Sequence, residues 1–356
     1  MSANSPDCRP VIFGIAGKQV SDAEGAFFHD TRPWGIILFA RNIDDGAQLK
    51  ALTDSLRDMS GRPHLPILID QEGGRVARVK PPLAIAHPPA ACYGAIYERD
   101  RQRGLDAARL GARLLADDLL RFGINISCAP CMDLGLPDMS DVIGDRAFGG
   151  DANMVGKLGA AFAKGLDDGG VLPVIKHLPG HGRARVDSHH DLPIIGEAVE
   201  TLKQTDFAAF GEVSGALLGM TGHLLFEAID AAHVSTFSTI IVEQVIREII
   251  GFDGLLMSDD LSMQALAGDM ASRTQQALAA GCDMVLHCNG DMAEMEAVAS
   301  ALPAPQVQAD VPRLAAVHAA LTALPVNALP ENERRALVQD WGELVSDVFP
   351  DALNAV

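Results

Sequence analysis

The sequence predicts a single-domain (β/α)8 barrel with a C-terminal helical extension. Eight short apolar runs each lead into a polar or glycine-rich turn, and helical patterns lie between them. The runs are rich in β-forming residues and lack clean alternation, as expected of parallel strands that are buried on both faces. Eight strands alternating with helices in a chain of this length favour a closed barrel. The alternative, an open doubly wound sheet, would be expected to carry a glycine-rich phosphate-binding motif, and neither GxGxxG nor GxxxxGK[ST] occurs.

The individual elements follow from these patterns. The predicted strands span residues 11–16, 35–40, 66–69, 124–129, 171–175, 216–220, 254–257 and 283–287. Helical patterns cover residues 101–122, 151–168, 198–213, 239–250 and 264–280, and the first has leucines at three-to-five spacing. We assign residues 1–300 to the catalytic barrel and residues 301–356 to helices that pack on its outside. A separate C-terminal domain is the alternative, but no second strand pattern is visible there.

Composition and charge exclude several classes of protein. The chain is 48% hydrophobic and 21% charged, so it is globular, and its net charge of −19 argues against nucleic acid and against an anionic membrane surface as partners. We find no apolar stretch long enough to span a bilayer and no secretory signal in residues 1–10. The six cysteines are sparse, which favours reduced thiols in a cytoplasmic protein. Cys128 and Cys131 have CxxC spacing, and zinc or redox chemistry is the alternative to two core thiols there.

Polar residues stand at the C-terminal ends of the predicted strands, where the site of such a barrel forms. The set supports acid–base and nucleophilic chemistry on a polar, uncharged or weakly charged substrate. Asp259 would point into the barrel mouth, where a carboxylate can attack an electrophilic carbon and later leave. Asp260 should point away and cap a helix that begins near Leu261. The strand-end residues are Asp70, Asp133, Lys176, His177, Thr221, His223, Ser258, Asp259, Asp260, His287 and Asn289.

The most polar stretch is the loop at residues 176–193, which follows the fifth strand. It carries four histidines, two aspartates and three basic residues within 18 positions. Asp187 lies two positions before His189, close enough for a carboxylate to orient an imidazole as a general acid, although spacing alone does not separate His189 from His190. Metal binding by these histidines is the alternative. It is disfavoured because compact ligand spacing is absent and because Arg183 and Arg185 lie between them.

The motif KHLPGHG at residues 176–182, followed after four residues by DSH at 187–189, resembles the KHFPGHGxxxxDSH signature of bacterial β-N-acetylglucosaminidases of glycoside hydrolase family 3. DQEGGRV at 70–76, GDR at 144–146 and SDDLSM at 258–263 resemble other blocks of that family in the same order. The resemblance covers roughly residues 10 to 300. Arg183 and Arg185 make the loop more basic than the family pattern, and we expect them to favour carboxylates in the aglycone.

The resemblance implies a retaining exo-β-N-acetylglucosaminidase that works through a covalent glycosyl–aspartate intermediate. Its substrates would be peptidoglycan fragments, namely GlcNAc-1,6-anhydroMurNAc and its peptides, in the cytoplasm. Asp259 would be the nucleophile, His189 the general acid/base and Asp187 its partner. The resemblance implies no cofactor and no metal, and we expect a monomer. The residues that would hold the terminal sugar are Asp70, Arg78, Arg146, Lys176 and His177.

Three alternatives to this function stay open at the level of sequence. A family-3 β-glucosidase would use the same blocks on a different sugar. An N-acetylglucosaminide phosphorylase would use phosphate instead of water, since a histidine repels an incoming phosphate less than a carboxylate does. A non-catalytic sugar-binding barrel would tolerate loss of the nucleophile or the acid, yet Asp259, Asp187 and His189 are all present.

Overall fold

The computed structural model describes residues 7–137, 139–188, 191–307, 311–325 and 327–350. Within them, eight parallel strands form a closed barrel in which each strand pairs with the next and the eighth pairs with the first. The predicted fold is therefore confirmed, and each of the eight apolar runs overlaps a strand. The barrel strands are β1 Asp7–Gly14, β2 Pro33–Leu38, β3 Ile67–Ile69, β4 Ile126–Ser127, β5 Leu172–Leu178, β6 Leu218–Thr221, β7 Leu255–Asp260 and β8 Met284–His287.

Short strands outside the barrel shape the loops around it. Gln71–Gly73 pairs with Val76–Ala77 in an antiparallel hairpin directly after β3. Ile194–Ile195 pairs in parallel with Leu225–Phe226, which fixes the far end of the loop after β5. Strand β9, Gln306–Val307, pairs antiparallel with the start of β1.

Helices surround the strands and most begin at a side-chain cap. An aspartate or serine just before the first turn accepts a backbone N–H that would otherwise lack a partner. Such N-caps are Ser21, Asp45, Asp100, Asp151, Asp269 and Asp291. The helices are α1 Asp22–Thr31, α2 Gly46–Ser60, α3 Ala90–Arg99, α4 Arg101–Leu120, α5 Ala152–Asp168, α6 Val199–Gln204, α7 Asp206–Ala209, α8 Met270–Ala280, α9 Met292–Ala301, α10 Pro312–Ala323 and α11 Glu331–Val345. Short 3-10 turns occur at Ala40–Asn42, Gly144–Arg146, Gly211–Val213 and Ser235–Phe237, and Ile241–Ile249 forms a π-helix.

Two helical predictions are wrong in extent. The helix predicted over 264–280 begins only at Met270, because Gly268 adopts a positive φ of 90° and Asp269 caps a new first turn. The helix predicted over 198–213 is divided at Thr205, whose backbone (φ −123°, ψ −90°) is not helical. The division leaves Asp206 at the start of α7.

The core has two layers, which explains why the strands lack alternation. Leu255 and Met257 of β7 belong to the cluster inside the barrel, whereas Leu256 between them belongs to the cluster beneath the surrounding helices. Helix α10 adds Leu314, Val317 and Leu321 to the interior cluster. Each strand is therefore apolar on both faces.

The C-terminal helix α11 contacts the outside of the barrel. Trp341 is fully buried, and the side chain of Arg334 donates to Asp117 and Asp118 of α4 at 2.5 Å each. These contacts favour the assignment of residues 301–356 to the barrel, although the domain boundary stays a prediction. Among the described residues no helix has the length and apolar character needed to cross a membrane.

Candidate active site

A polar cavity of about 470 Å³ opens at the C-terminal ends of the barrel strands. Every predicted site residue that the structure describes lines it, although these residues are spread over 190 positions of the chain. His189 and its alternative His190 lie outside the described residues. The predicted residues that line the cavity are Asp70, Arg78, Arg146, Lys176, His177, Asp187 and Asp259.

Asp70, directly after β3, is paired with two cations. Its carboxylate accepts from Lys176 Nζ at 2.9 Å and from Arg78 Nη2 at 3.1 Å. Burial opposes the charge of Asp70, but Lys176 and Arg78 outweigh it and hold the pKa of Asp70 well below its ordinary value. The carboxylate is therefore ionised at neutral pH and available to accept from a substrate hydroxyl.

Glu72, in the hairpin after β3, is a site residue that the sequence analysis did not select. Both of its oxygens accept from Arg146, at 2.8 and 2.9 Å, and one lies 2.6 Å from Lys176 Nζ. Burial opposes its charge, but Arg146 and Lys176 lower the pKa of Glu72 to about 2. In turn, burial disfavours the ammonium of Lys176, while Asp70 and Glu72 raise its pKa above the ordinary value. Asp70, Glu72, Arg146 and Lys176 thus form one ionised network at the cavity wall.

His177 is oriented by Asp133, which stands after β4. The ring Nδ1 lies 2.5 Å from Asp133 Oδ2, and the other oxygen accepts the backbone N–H of His181 at 2.6 Å. Since the carboxylate is an acceptor, Nδ1 carries a proton, and Nε2 on the other side of the ring lies 3.5 Å from Arg146 Nη2. Burial opposes the charge of Asp133, but His177 and His181 lower its pKa below the ordinary value. Asp133 was named as a strand-end residue but not as a site residue.

Asp259 stands near the end of β7 and lines the cavity. Its Oδ1 accepts the backbone N–H of Asp260 at 2.8 Å, and its own N–H reaches Thr221 Oγ1 at 3.3 Å. Burial opposes its charge, but His223 and His177 lead the groups that lower the pKa of Asp259. An ionised, restrained carboxylate at this place can act as a nucleophile or can stabilise a positive charge.

The segment after β5 carries Asp187 to the cavity. His181 is buried, and its Nε2 lies 3.1 Å from Ser188 Oγ, while the Ala184 carbonyl accepts from the Ser140 N–H at 2.9 Å. Burial first, and the neighbouring His177 second, lower the pKa of His181 to about 4. His181 is therefore a neutral structural residue at neutral pH.

One sequence expectation on side-chain direction is wrong. Asp260 lines the cavity instead of pointing away, and it accepts from the Ser262 N–H at 3.0 Å in a turn, because no helix begins at Leu261. The guanidinium of Arg183 pairs with Asp206 at 2.6 Å, and Arg185 is exposed. The expectation that these two arginines favour carboxylates in the aglycone stays a prediction.

The CxxC pair consists of two buried thiols without a disulfide. Cys131 Sγ donates to Asp133 Oδ2 at 3.2 Å, and together with His177 these residues place three ligand-type atoms within 4.8 Å of one another. The protons on Cys131 and His177 already satisfy Asp133, and Arg146 lies beside His177. These contacts give the group a structural role, and the expectation that the site holds no metal stays a prediction.

Comparisons with known proteins agree with this geometry. Residues 15–317 match the family model described as the glycosyl hydrolase family 3 N-terminal domain. A β-hexosaminidase from Alkalilimnicola ehrlichii is 38% identical over 313 residues, which cover 87% of this chain and 88% of the relative. A β-hexosaminidase from Chromobacterium violaceum is 39% identical over 304 residues, which cover 84% of each chain.

Solved structures give the same result. NagZ from Neisseria gonorrhoeae, in complex with N-trifluoroacetyl-D-glucosamine, matches with a TM-score of 0.83 and 32% identity over 98% of this chain and 99% of that one. A glycoside hydrolase family 3 β-N-acetylglucosaminidase from Paenibacillus matches with a TM-score of 0.82 and 29% identity over 97% of this chain and 69% of that one. The chain therefore belongs to glycosyl hydrolase family 3 and is a glycoside hydrolase of the β-N-acetylhexosaminidase type.

Proposed function

We propose that this enzyme is a retaining exo-β-N-acetylglucosaminidase that acts through a covalent glycosyl–Asp259 intermediate. The observation that carries the proposal is the position of Asp259. It is an ionised carboxylate that faces the same cavity of about 470 Å³ as the ion-paired Asp70 and Lys176. A cavity of this size takes a small ligand, and fixed charges with satisfied partners can bind hydroxyl groups without rearranging.

The chemistry needs a nucleophile and an acid on opposite sides of the glycosidic bond. Asp259 attacks the anomeric carbon while the bond to the aglycone oxygen breaks, and that oxygen takes a proton from His189. Water then attacks the same carbon and gives its proton to His189, and Asp259 leaves. The role of His189 rests on the DSH motif. Asp187, which lines the cavity, is the carboxylate that would orient the ring.

Exo action follows from the walls of the cavity. Its inner side is formed by Ile37, Met220 and Leu286, which belong to the packed interior of the barrel. A sugar that binds above them can extend only outward, so the cavity would hold the terminal residue and leave the aglycone at the rim. Asp70, Arg78, Arg146, Lys176 and His177 would then hold that terminal sugar.

The physiological substrate we propose is GlcNAc-1,6-anhydroMurNAc with its peptides, on the strength of the loop motif and of the likeness to NagZ. The enzyme would act in the cytoplasm, as a monomer and without a cofactor. All six cysteines lie among the described residues and no disulfide joins them, which is usual in a reducing compartment.

The test is to trap the intermediate with a 5-fluoro N-acetylglucosaminyl fluoride and to locate the label by peptide mass spectrometry. We expect the label on Asp259 and release of the β-anomer during normal turnover. Asp259→Ala should keep the fold and lose at least about a thousandfold in kcat on aryl N-acetylglucosaminides. Asp141→Asn, which alters an exposed carboxylate at the cavity rim, is the matched control and should keep most activity.

Three results would contradict the proposal. Release of the α-anomer would exclude a covalent intermediate. Equal turnover of aryl glucosides would remove the preference for the acetamido sugar. Formation of N-acetylglucosamine 1-phosphate in phosphate buffer would make the enzyme a phosphorylase.

A further inference from the structure

The segment that leads to His189 is attached to the barrel by one arginine side chain. Arg183 Nε donates to Asp206 Oδ2 at 2.6 Å, and Nη2 donates to Thr205 Oγ1 at 3.0 Å. Nη1 lies 3.5 Å from Glu197 Oε1. The side chains of Arg183 and Asp206 are only 15% and 1% exposed, so water screens this pair little.

The backbone of the same segment fits against the same neighbours. Gly180 has a φ of 137°, and a Cβ built there would lie 3.0 Å from the Cβ of Asp206. A Cβ on Gly182 would lie 2.5 Å from the carbonyl oxygen of Leu134. Both glycines, which precede Arg183, therefore let the chain approach its neighbours closely. The segment is seated in one position, and Asp206 contacts it twice.

The division between α6 and α7 gives Asp206 its place. Thr205 interrupts the helix, and its hydroxyl lies 2.8 Å from Asp206 Oδ2. Asp206 thus begins a new helix of four residues, and its carboxylate bonds to the segment through Arg183. The pairing needs both the interruption and an arginine at position 183.

We infer that Arg183 is a positioning residue for the acid/base of the reaction. Its pair with Asp206 sets where Asp187 meets the cavity, and His189 lies two positions further along the chain. This inference rests on the proposed role of His189 as the acid. A general acid must lie within hydrogen-bond reach of the departing oxygen, and a displacement of about 1 Å can cost about a hundredfold in rate.

The experiment compares Arg183→Ala and Arg183→Lys with Lys203→Ala, which removes an exposed cation of the neighbouring helix α6. The substrates are N,N′-diacetylchitobiose, whose departing hydroxyl needs a proton, and the 2,4-dinitrophenyl glycoside, whose leaving group does not. We compare kcat/KM, because it reports only the steps up to aglycone departure. Melting temperature and hydrogen exchange of the amides at 181–188 are measured on every variant.

We expect Arg183→Ala to lower kcat/KM for the disaccharide by about ten- to hundredfold and for the dinitrophenyl glycoside by about threefold or less. Arg183→Lys should recover part of the loss, since an ammonium keeps the charge but not the fork that also reaches Thr205. Hydrogen exchange at 181–188 should rise in Arg183→Ala, and Lys203→Ala should match the wild type. If Arg183→Ala does not fold, Arg183→Lys carries the same comparison.

Two results would overturn the inference. Equal losses on both substrates would show a general structural effect. If hydrogen exchange at 181–188 becomes faster but the ratio of kcat/KM between the two substrates does not change, the Arg183–Asp206 pair does not position the acid. The proposed function fails separately, if His189→Ala itself leaves the ratio between the two substrates unchanged.

Discussion

Replacing Glu72 with glutamine should lower the free energy of unfolding by more than breaking an exposed ion pair near the cavity does. The side chain is 7% exposed and bonds to Arg146 and Lys176. An amide of the same shape offers one acceptor oxygen and two N–H donors, and those donors would face a guanidinium and an ammonium. Removing one partner from a buried ion pair typically costs about 3–5 kcal/mol. The pKa of Glu72 falls from its ordinary value of 4.5 to about 2 in the folded protein. This difference corresponds to about 3 kcal/mol of stability at neutral pH, which agrees with that range.

Urea unfolding at pH 7 measures the effect of Glu72→Gln. Asp145→Asn is the matched control, because Asp145 pairs with Arg75 at 3.0 Å in the same region, and their side chains are 45% and 47% exposed. The control should cost about 0–1 kcal/mol. A loss in Glu72→Gln no larger than that of the control would refute the network described above.

The pH dependence of stability is a second test of the contribution of Glu72. The folded-state pKa of Glu72 is lower than the unfolded one, so its contribution is fully present above about pH 4.5 and is lost as the pH falls toward about 2. The stability difference between wild type and Glu72→Gln should therefore be constant from pH 6 to 8 and shrink below pH 4.5. A difference that shrinks as the pH rises above 6 would contradict the assignment.

Two further predictions concern other buried charges. His181 has a pKa of about 4 when folded, so the unfolded chain takes up its proton first, and stability present above pH 6.5 should be lost as the pH falls toward 4, by up to about 3 kcal/mol. His181→Gln should flatten this part of the unfolding profile, and an unchanged profile would count against it. Arg334→Ala should cost about 3 kcal/mol, at the low end for a broken buried ion pair, because Asp117 keeps Arg121 and Asp118 keeps His87 as partners, while kcat/KM of the folded enzyme stays unchanged. Arg335→Ala, which alters a side chain 69% exposed, is its control and should cost about 0–1 kcal/mol, as measured by urea unfolding.

The barrel could be predicted because its strands are buried on both faces, so each leaves an unbroken apolar run in the sequence. Predicting strand ends also predicted much of the site, since Asp70, Lys176, His177 and Asp259 stand at the ends of three strands. Local pattern could not predict which way the last side chain of a strand turns. Asp260 shows this, because its direction depends on a turn that replaces the expected helix.

Contacts between distant parts of the chain account for what the sequence analysis missed. Asp133 contacts His177, 44 positions away, and Arg183 contacts Asp206 across a helix interruption that propensity did not predict. The two arginines of the histidine-rich loop suggested aglycone binding, whereas one of them, Arg183, attaches the loop to Asp206. Pattern identifies the residues of such a loop but not their partners.

Charge pairing is a signal that could have found Glu72 in advance. The residues predicted to hold the sugar include the cations Arg78, Arg146 and Lys176 but only one carboxylate, Asp70. The side chains of Arg146 and Lys176 are only 10% and 3% exposed, and a buried charge without a close partner is too costly to keep. Glu72, two positions after Asp70, bonds to both of these cations. A buried cation in a predicted binding site therefore points to a nearby carboxylate as a further residue of that site.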